Sequence, residues 1–141
     1  MHIQSRPDDV CINKGAIMER AIRRALEEFE ADRELKSFTH IDAMTLNLER
    51  ACQSAIDLAM HLVAREHLGV PQNSADAFRL LNQAGLISET SFHAMSAMTG
   101  FRNIAVHEYQ ELDMSILRKI VEGGWRTLVV YARELGVNIR P

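Results

Sequence analysis

The chain has 141 residues, of which 47% are apolar and 25% charged, a composition typical of a single soluble globular domain. Its formal net charge of −3 excludes a surface that coats nucleic acid through bulk positive charge. No apolar run approaches the roughly 18 residues that a membrane span needs. The polar start of the chain is not typical of a signal peptide, so we expect a cytoplasmic protein with reduced thiols.

Apolar residues recur at spacings of three and four along almost the whole chain, which predicts helices and no strands. The first helix is expected over residues 14–31. A second is predicted over 41–68, because seven apolar residues follow one another at these spacings without a fault. Gly69 and Pro71 are expected to end it. Cys52 falls in its apolar stripe, which indicates a small buried hydrophobe.

The second half of the chain predicts one short and two longer helices. Ser74 is expected to cap a short third helix that Gly85 closes, and Ser88 to cap a fourth. Asp113 can cap a fifth helix with apolar residues at heptad spacing as far as Leu135. The Gly123–Gly124 pair inside it predicts a bend or a close approach of another helix. The buried side of the fourth helix is expected to comprise Met95, Met98 and Phe101.

These elements predict an all-α fold, an up-down bundle of four main helices plus one short helix. A flexible segment, residues 1–13, is expected to precede a single domain over residues 14–141. The apolar seams are wide enough to leave area for a partner, so we expect a homodimer.

The stretch 100–109 combines a permanent cation, a carboxamide, an imidazole and a phenol, in Arg102, Asn103, His107 and Tyr109. In a helix, five residues turn through about 500°, so Arg102 and His107 would lie about 140° apart. They meet if the helix ends between them and the chain turns, or if a second subunit completes the site. Imidazole transfers protons near neutral pH, and guanidinium binds phosphate oxygens, so such a pair is suited to cleaving a phosphodiester. Alternatively, the two side chains only bind the last carbonyl groups of a helix.

The segment Arg102–Tyr109 resembles the Arg-x4-His-x-Tyr signature of HepT-type toxins, a branch of the HEPN superfamily. Asp42–Ala64 is similar to the long second helix of that family, and Leu80–Ile87 to its short connecting segment. The resemblance covers residues 14–136, nearly the whole chain.

This resemblance implies a HEPN-like fold and a metal-independent endoribonuclease, the toxin of a toxin–antitoxin pair, in which the 2′-hydroxyl of RNA attacks the adjacent phosphate. It implies that His107 is the general acid or base and Arg102 the phosphate clamp. Asn103 would fix the turn or bind substrate. Tyr109 would be the residue to which a nucleotidyltransferase antitoxin attaches AMP, adding bulk and negative charge beside the site.

A polar stripe on the second helix is the remaining candidate surface. We interpret it mainly as a solvated helix face, with Asp57 as a supporting residue of the site. No pair of ligands has the spacing of a metal site, so neither metal nor other cofactor is expected. The rival interpretation of the whole chain is a non-catalytic helical partner that regulates a nucleotidyltransferase or presents its substrate. The stripe comprises Asn47, Arg50, Ser54, Asp57 and His61.

Overall fold

The computed structural model describes residues 6–107 and 113–141, with Val106 and His107 described by their backbone alone. Within these ranges the chain is helical and has no strand, which confirms the all-α prediction. None of the helices described is both long and apolar enough to cross a membrane. The helices are α1 (Asp9–Ala31), α2 (Phe38–Arg65), α3 (Ser74–Gln83), α4 (Glu89–His107), α5 (Met114–Lys119) and α6 (Arg126–Glu134).

The bundle is built around α2, which packs along α1 and also contacts α3, α4 and α6. At its centre Tyr131 of α6 is fully buried, and its ring meets that of Phe78 edge-on at 5.6 Å. The Tyr131 hydroxyl donates a hydrogen bond of 2.8 Å to the carbonyl oxygen of Ala55. Burial raises the pKa of this phenol well above its ordinary value, so it is a structural group. Four long elements, namely α1, α2, α4 and the interrupted pair α5–α6, form the predicted up-down bundle together with the short α3.

The first helix begins five residues earlier than the sequence predicts, at Asp9. Asp8 caps it by accepting a hydrogen bond of 2.9 Å from the backbone N–H of Cys11. Arg65 of α2 contacts this cap, donating to Asp8 at 3.1 Å and to the Arg6 carbonyl at 2.6 Å. The prediction of a flexible segment over residues 1–13 is therefore wrong for the part that the structure describes, because contacts with α2 order it.

The second helix ends before the predicted glycine. His67 adopts a positive φ of 55°, and the N–H of Leu68 bonds the carbonyl of Val63 at 2.9 Å. This is the pattern in which a left-handed residue closes a helix, here with His67 in place of Gly69. The helix also starts earlier than predicted, at Phe38, because Ser37 caps it.

The other helix ends follow the sequence closely. Ser88 and Asp113 cap α4 and α5 as predicted, each accepting a hydrogen bond from a first-turn N–H, at 3.1 and 2.8 Å. Gly85 closes α3 with a φ of 77°. The cap of α3 is Asn73 instead of Ser74, one position earlier than predicted.

The fifth predicted helix is interrupted at its glycine pair, which confirms the expected bend. Ile120–Gly124 form a π-helical turn, in which the N–H of Trp125 bonds the Ile120 carbonyl at 3.0 Å. A Cβ on Gly124 would lie 3.2 Å from the carbonyl oxygen of Lys119, so the turn leaves little room for a side chain. Immediately after it, the guanidinium carbon of Arg126 lies 4.7 Å above the centre of the Trp125 ring.

Candidate active site

Arg102 lies near the end of α4, and its side chain is 25% exposed. Its Nε lies 3.9 Å from Oε1 of Glu49, close enough for an ion pair but beyond hydrogen-bond distance. That Nε is buried and has no hydrogen-bond acceptor among the described residues. One terminal nitrogen donates to Oδ1 of Asn103 at 3.2 Å. Charge attraction thus orients the guanidinium, and its other end remains partly open to solvent.

Glu49 of α2 is the residue that the sequence analysis missed. It is 20% exposed and lies against Arg102 although the two are 53 positions apart. Burial, together with the charge of Glu49, raises the pKa of the neighbouring Cys52 thiol to about 12, and the charge of Arg102 opposes this rise. Helix periodicity could identify Glu49 as flanking the apolar stripe, but not which helix it faces.

The fourth helix does not end between Arg102 and His107. It runs without interruption to His107, where the structure describes the backbone only. The first of the two geometries, a turn between them within one chain, is therefore not the one observed. The two residues leave the same helix about 140° apart and about 7.5 Å along its axis. Completion of the site by a second subunit, the other geometry that the sequence allows, stays a prediction.

Asn103 and Tyr109 differ in how far the structure describes them. Asn103 is exposed and accepts the hydrogen bond from Arg102, so it contacts the clamp directly. Because the helix continues, Asn103 does not stabilise a turn. Tyr109 lies outside the described residues, and its role stays a prediction.

The polar stripe on α2 faces α1 more than solvent, contrary to our interpretation. Asp57 accepts hydrogen bonds from Lys14 at 3.3 Å and from Gln53 at 2.9 Å. Ser54 is buried and donates to the Lys14 carbonyl at 2.8 Å. His61 bonds the capping carboxylate of Asp8 at 2.6 Å. Asp57 thus joins α2 to α1, and a supporting role for it stays a prediction.

One group among the described residues has the composition of a metal site. The ligand atoms of Asp8, Cys11 and His61 all lie within 4.8 Å of one another. A guanidinium nitrogen of Arg65 lies 3.1 Å from Oδ2 of Asp8 and 4.0 Å from Sγ of Cys11. A permanent cation already neutralises this carboxylate, so we assign the group to the start of α1 and not to the chemistry.

Comparison with known proteins gives the same family as the motif. The family described as "Ribonuclease HepT-like" matches residues 18–135. A curated relative, "mRNA nuclease HepT" of Shewanella oneidensis, is 40% identical over 116 residues, covering 82% of this chain and 87% of the relative.

Solved structures of similar proteins have the same helical fold as this chain. A tri-AMPylated HEPN toxin of Shewanella oneidensis, in complex with an MNT antitoxin, superposes with a TM-score of 0.87 at 35% identity, covering 92% of this chain and 98% of that chain. A toxin–antitoxin structure with AMP-PNP gives a TM-score of 0.86 at 35% identity, covering 92% and 99%. The chain belongs to the HepT-like ribonuclease family of HEPN fold.

Proposed function

We propose that this chain is the toxin of a toxin–antitoxin pair and cleaves RNA as a metal-independent endoribonuclease. The observation that carries the proposal is the Arg102 guanidinium, oriented by Glu49 and partly exposed, less than two helical turns before His107. A relative named as an mRNA nuclease, 40% identical to this chain, supports it.

The chemistry follows from the properties of the two side chains. An imidazole of His107 removes the proton from a 2′-hydroxyl, and that oxygen attacks the adjacent phosphorus. The bond from phosphorus to the 5′-oxygen breaks, a protonated imidazole returns a proton to that oxygen, and a 2′,3′-cyclic phosphate remains. Arg102 donates hydrogen bonds to the phosphate oxygens, whose negative charge increases in the transition state. Every atom in this step comes from RNA and the protein.

A homodimer accounts best for the placement of the two residues. Arg102 and His107 of one chain leave α4 on different faces, so a single copy presents only one of them toward a given phosphate. Two copies packed with their α4 ends together would bring the arginine of one chain to the histidine of the other. In a symmetric dimer each residue then occurs twice, which supplies separate imidazoles for the acid and the base.

The toxin would be controlled by a covalent modification beside the site. A nucleotidyltransferase antitoxin would transfer AMP to the phenol of Tyr109, two residues after His107. The support is a similar toxin described as tri-AMPylated and in complex with an MNT antitoxin. An added phosphate near Arg102 would occupy the place of the RNA phosphate and repel it.

The proposal is tested on the purified chain with an unstructured, end-labelled RNA in excess EDTA. The parent should cleave it, whereas His107→Ala and Arg102→Lys should not, because a lysine ammonium cannot form the two parallel hydrogen bonds of a guanidinium. Products should end in a cyclic phosphate. Loss of cleavage on chelation, restored by a divalent ion, would contradict the metal-independent mechanism.

Two control variants separate chemistry from folding. His93 lies on the same helix and is 69% exposed, and among the described residues it contacts Glu89 and the ring of Phe92. His93→Ala should therefore keep full activity. Arg79→Lys removes a guanidinium that pairs on the surface with Asp76 and should also be silent. A His107→Ala protein as active as His93→Ala would overturn the role of His107, whereas absence of cleavage by the parent would favour the non-catalytic regulatory partner.

A further inference from the structure

A small, open cavity with charged residues in its lining lies between α1 and α2, beside the pair formed by Arg102 and Glu49. Its volume is about 190 Å³. Glu49 belongs both to the cavity and to the ion pair, so a strand of RNA bound at Arg102 would pass the cavity. We call this cavity the base pocket; it is lined by Ile17, Glu49, Arg50, Gln53, Ser54 and Asp57.

The size of the base pocket limits what it can bind. Small-molecule sites usually measure about 300–1,000 Å³, and 190 Å³ corresponds to about six waters at roughly 30 Å³ each. A complete nucleotide cofactor is therefore too large. A single planar base is the right size, and proteins that read single-stranded RNA bind its splayed bases one at a time along their edges.

The charges around the base pocket suit an anionic polymer despite the net charge of the chain. Asp57 is paired with Lys14 at 3.3 Å, and Glu49 faces Arg102. Arg50 is exposed and makes neither an ion pair nor a side-chain hydrogen bond with another described residue. Three cations thus surround two carboxylates, which leaves the guanidinium of Arg50 free to bind a ligand.

The hydrogen-bonding groups of the base pocket match guanine better than the other bases. Guanine presents two adjacent acceptors, O6 and N7, to which an arginine donates two parallel hydrogen bonds. Its other edge carries two adjacent donors, N1–H and the N2 amino group, which a carboxylate accepts together. Arg50 supplies the donor pair, and the carboxylates of Glu49 and Asp57 supply the acceptors. Adenine offers neither two adjacent acceptors nor two adjacent donors of this kind.

We infer that the base pocket binds a guanine of the RNA substrate, next to the phosphate that Arg102 contacts. This inference rests on the proposed ribonuclease function and adds a sequence preference to it. Arg50 acts in recognition of the base, and the cleavage chemistry stays with Arg102 and His107. Cleavage sites in RNA should then show guanine at one fixed position relative to the broken bond.

Binding of an uncleavable ligand tests the base pocket without requiring catalysis. Two fluorescent 2′-O-methyl oligo-A strands are compared by anisotropy, one carrying a single central guanine. They cannot be cleaved, because the attacking hydroxyl is blocked. The parent should bind the guanine strand about tenfold more tightly, since one good bidentate base contact discriminates by about this factor.

The informative variant is Arg50→Lys, which keeps the positive charge and loses the planar fork. The preference for guanine should fall below twofold, while affinity for plain oligo-A and its salt dependence stay unchanged. Arg79→Lys, a surface arginine paired with Asp76, is the matched control and should keep the preference.

The two hypotheses fail in different ways. Equal affinity of the parent for both strands, or a preference that survives Arg50→Lys, would overturn the base pocket. Absence of cleavage in a parent that still prefers the guanine strand would count only against the proposed ribonuclease activity.

Discussion

Replacing Glu49 by Gln should weaken the orientation of Arg102 while keeping the shape of the side chain. The charged atoms lie 3.9 Å apart, for which Coulomb's law gives roughly 4 kcal/mol at an effective dielectric constant of about 20. Partial exposure and the cost of desolvation offset much of this attraction, leaving a net loss of about 1–2 kcal/mol. If that loss appears in the transition state, kcat/KM falls about 5- to 30-fold.

The assay is a double-mutant cycle that combines Glu49→Gln with Arg102→Ala, measured on an oligo-A RNA that lacks the guanine Glu49 would bind. If Glu49 acts by positioning Arg102, its replacement costs nothing further once the arginine is gone, so the two effects are not additive. Glu122→Gln, which removes the partner of Arg118 at 3.4 Å on the surface, should leave kcat/KM unchanged.

Two results would refute the reasoning about Glu49. Full activity of Glu49→Gln would show that the ion pair does not orient the guanidinium. Additive losses in the double variant would show that Glu49 acts by a route that does not pass through Arg102.

Gly124 and Asp8 in the fold and Tyr109 in the motif can each be tested by substitution. Gly124→Ala should lower the free energy of unfolding in urea by about 1–3 kcal/mol, since its Cβ would lie 3.2 Å from the Lys119 carbonyl oxygen. Gly100→Ala, whose Cβ would meet no neighbouring atom within 4 Å, should raise it by up to about 1 kcal/mol, and equal effects would contradict this account of the π turn. The backbone hydrogen bond at the start of α1 holds the pKa of Asp8 well below its ordinary value. The ionised carboxylate therefore stabilises the folded state fully above a pH of about 4, and this stabilisation is lost as the pH falls further. Urea unfolding of Asp8→Asn should therefore differ from the parent at pH 6 and converge with it in strong acid, whereas a constant difference would exclude the carboxylate as the cause. Tyr109→Phe should remain toxic beside the nucleotidyltransferase, with AMP found by mass spectrometry on Tyr109 of the parent alone; continued neutralisation would indicate occlusion of the site instead.

The sequence predicts the core of this fold well, because burial imposes a period that the residues display. The heptad positions Leu117, Leu128, Tyr131 and Leu135 are all fully buried. The glycine pair also indicated its bend correctly, since two adjacent glycines each weaken a helix by about 1 kcal/mol relative to alanine. Periodicity and helix propensity can be read from the sequence without knowing which helices lie nearby.

The predictions from the sequence failed where contacts between distant residues determine the structure, or where the expected chemistry suggested a geometry that the residues do not favour. Asp8 starts a helix because Arg65 and His61, more than fifty residues away, fix its carboxylate. A turn after Arg102 was one of two geometries considered for bringing the two reactive groups together, although no glycine or proline follows there to end α4. Glu49 was missed because periodicity does not give the faces that two helices present to each other.

Trp125 gives the protein a built-in optical reporter. It is the only tryptophan in the chain and lies at the joint between the π turn and α6, with the Arg126 guanidinium 4.7 Å above its ring. Indole emission depends on the polarity and charge around the ring, and all of that signal comes from this one position. Any partner that straightens the joint or displaces Arg126 should shift the emission, so association at this end of the molecule can be followed without attaching a label.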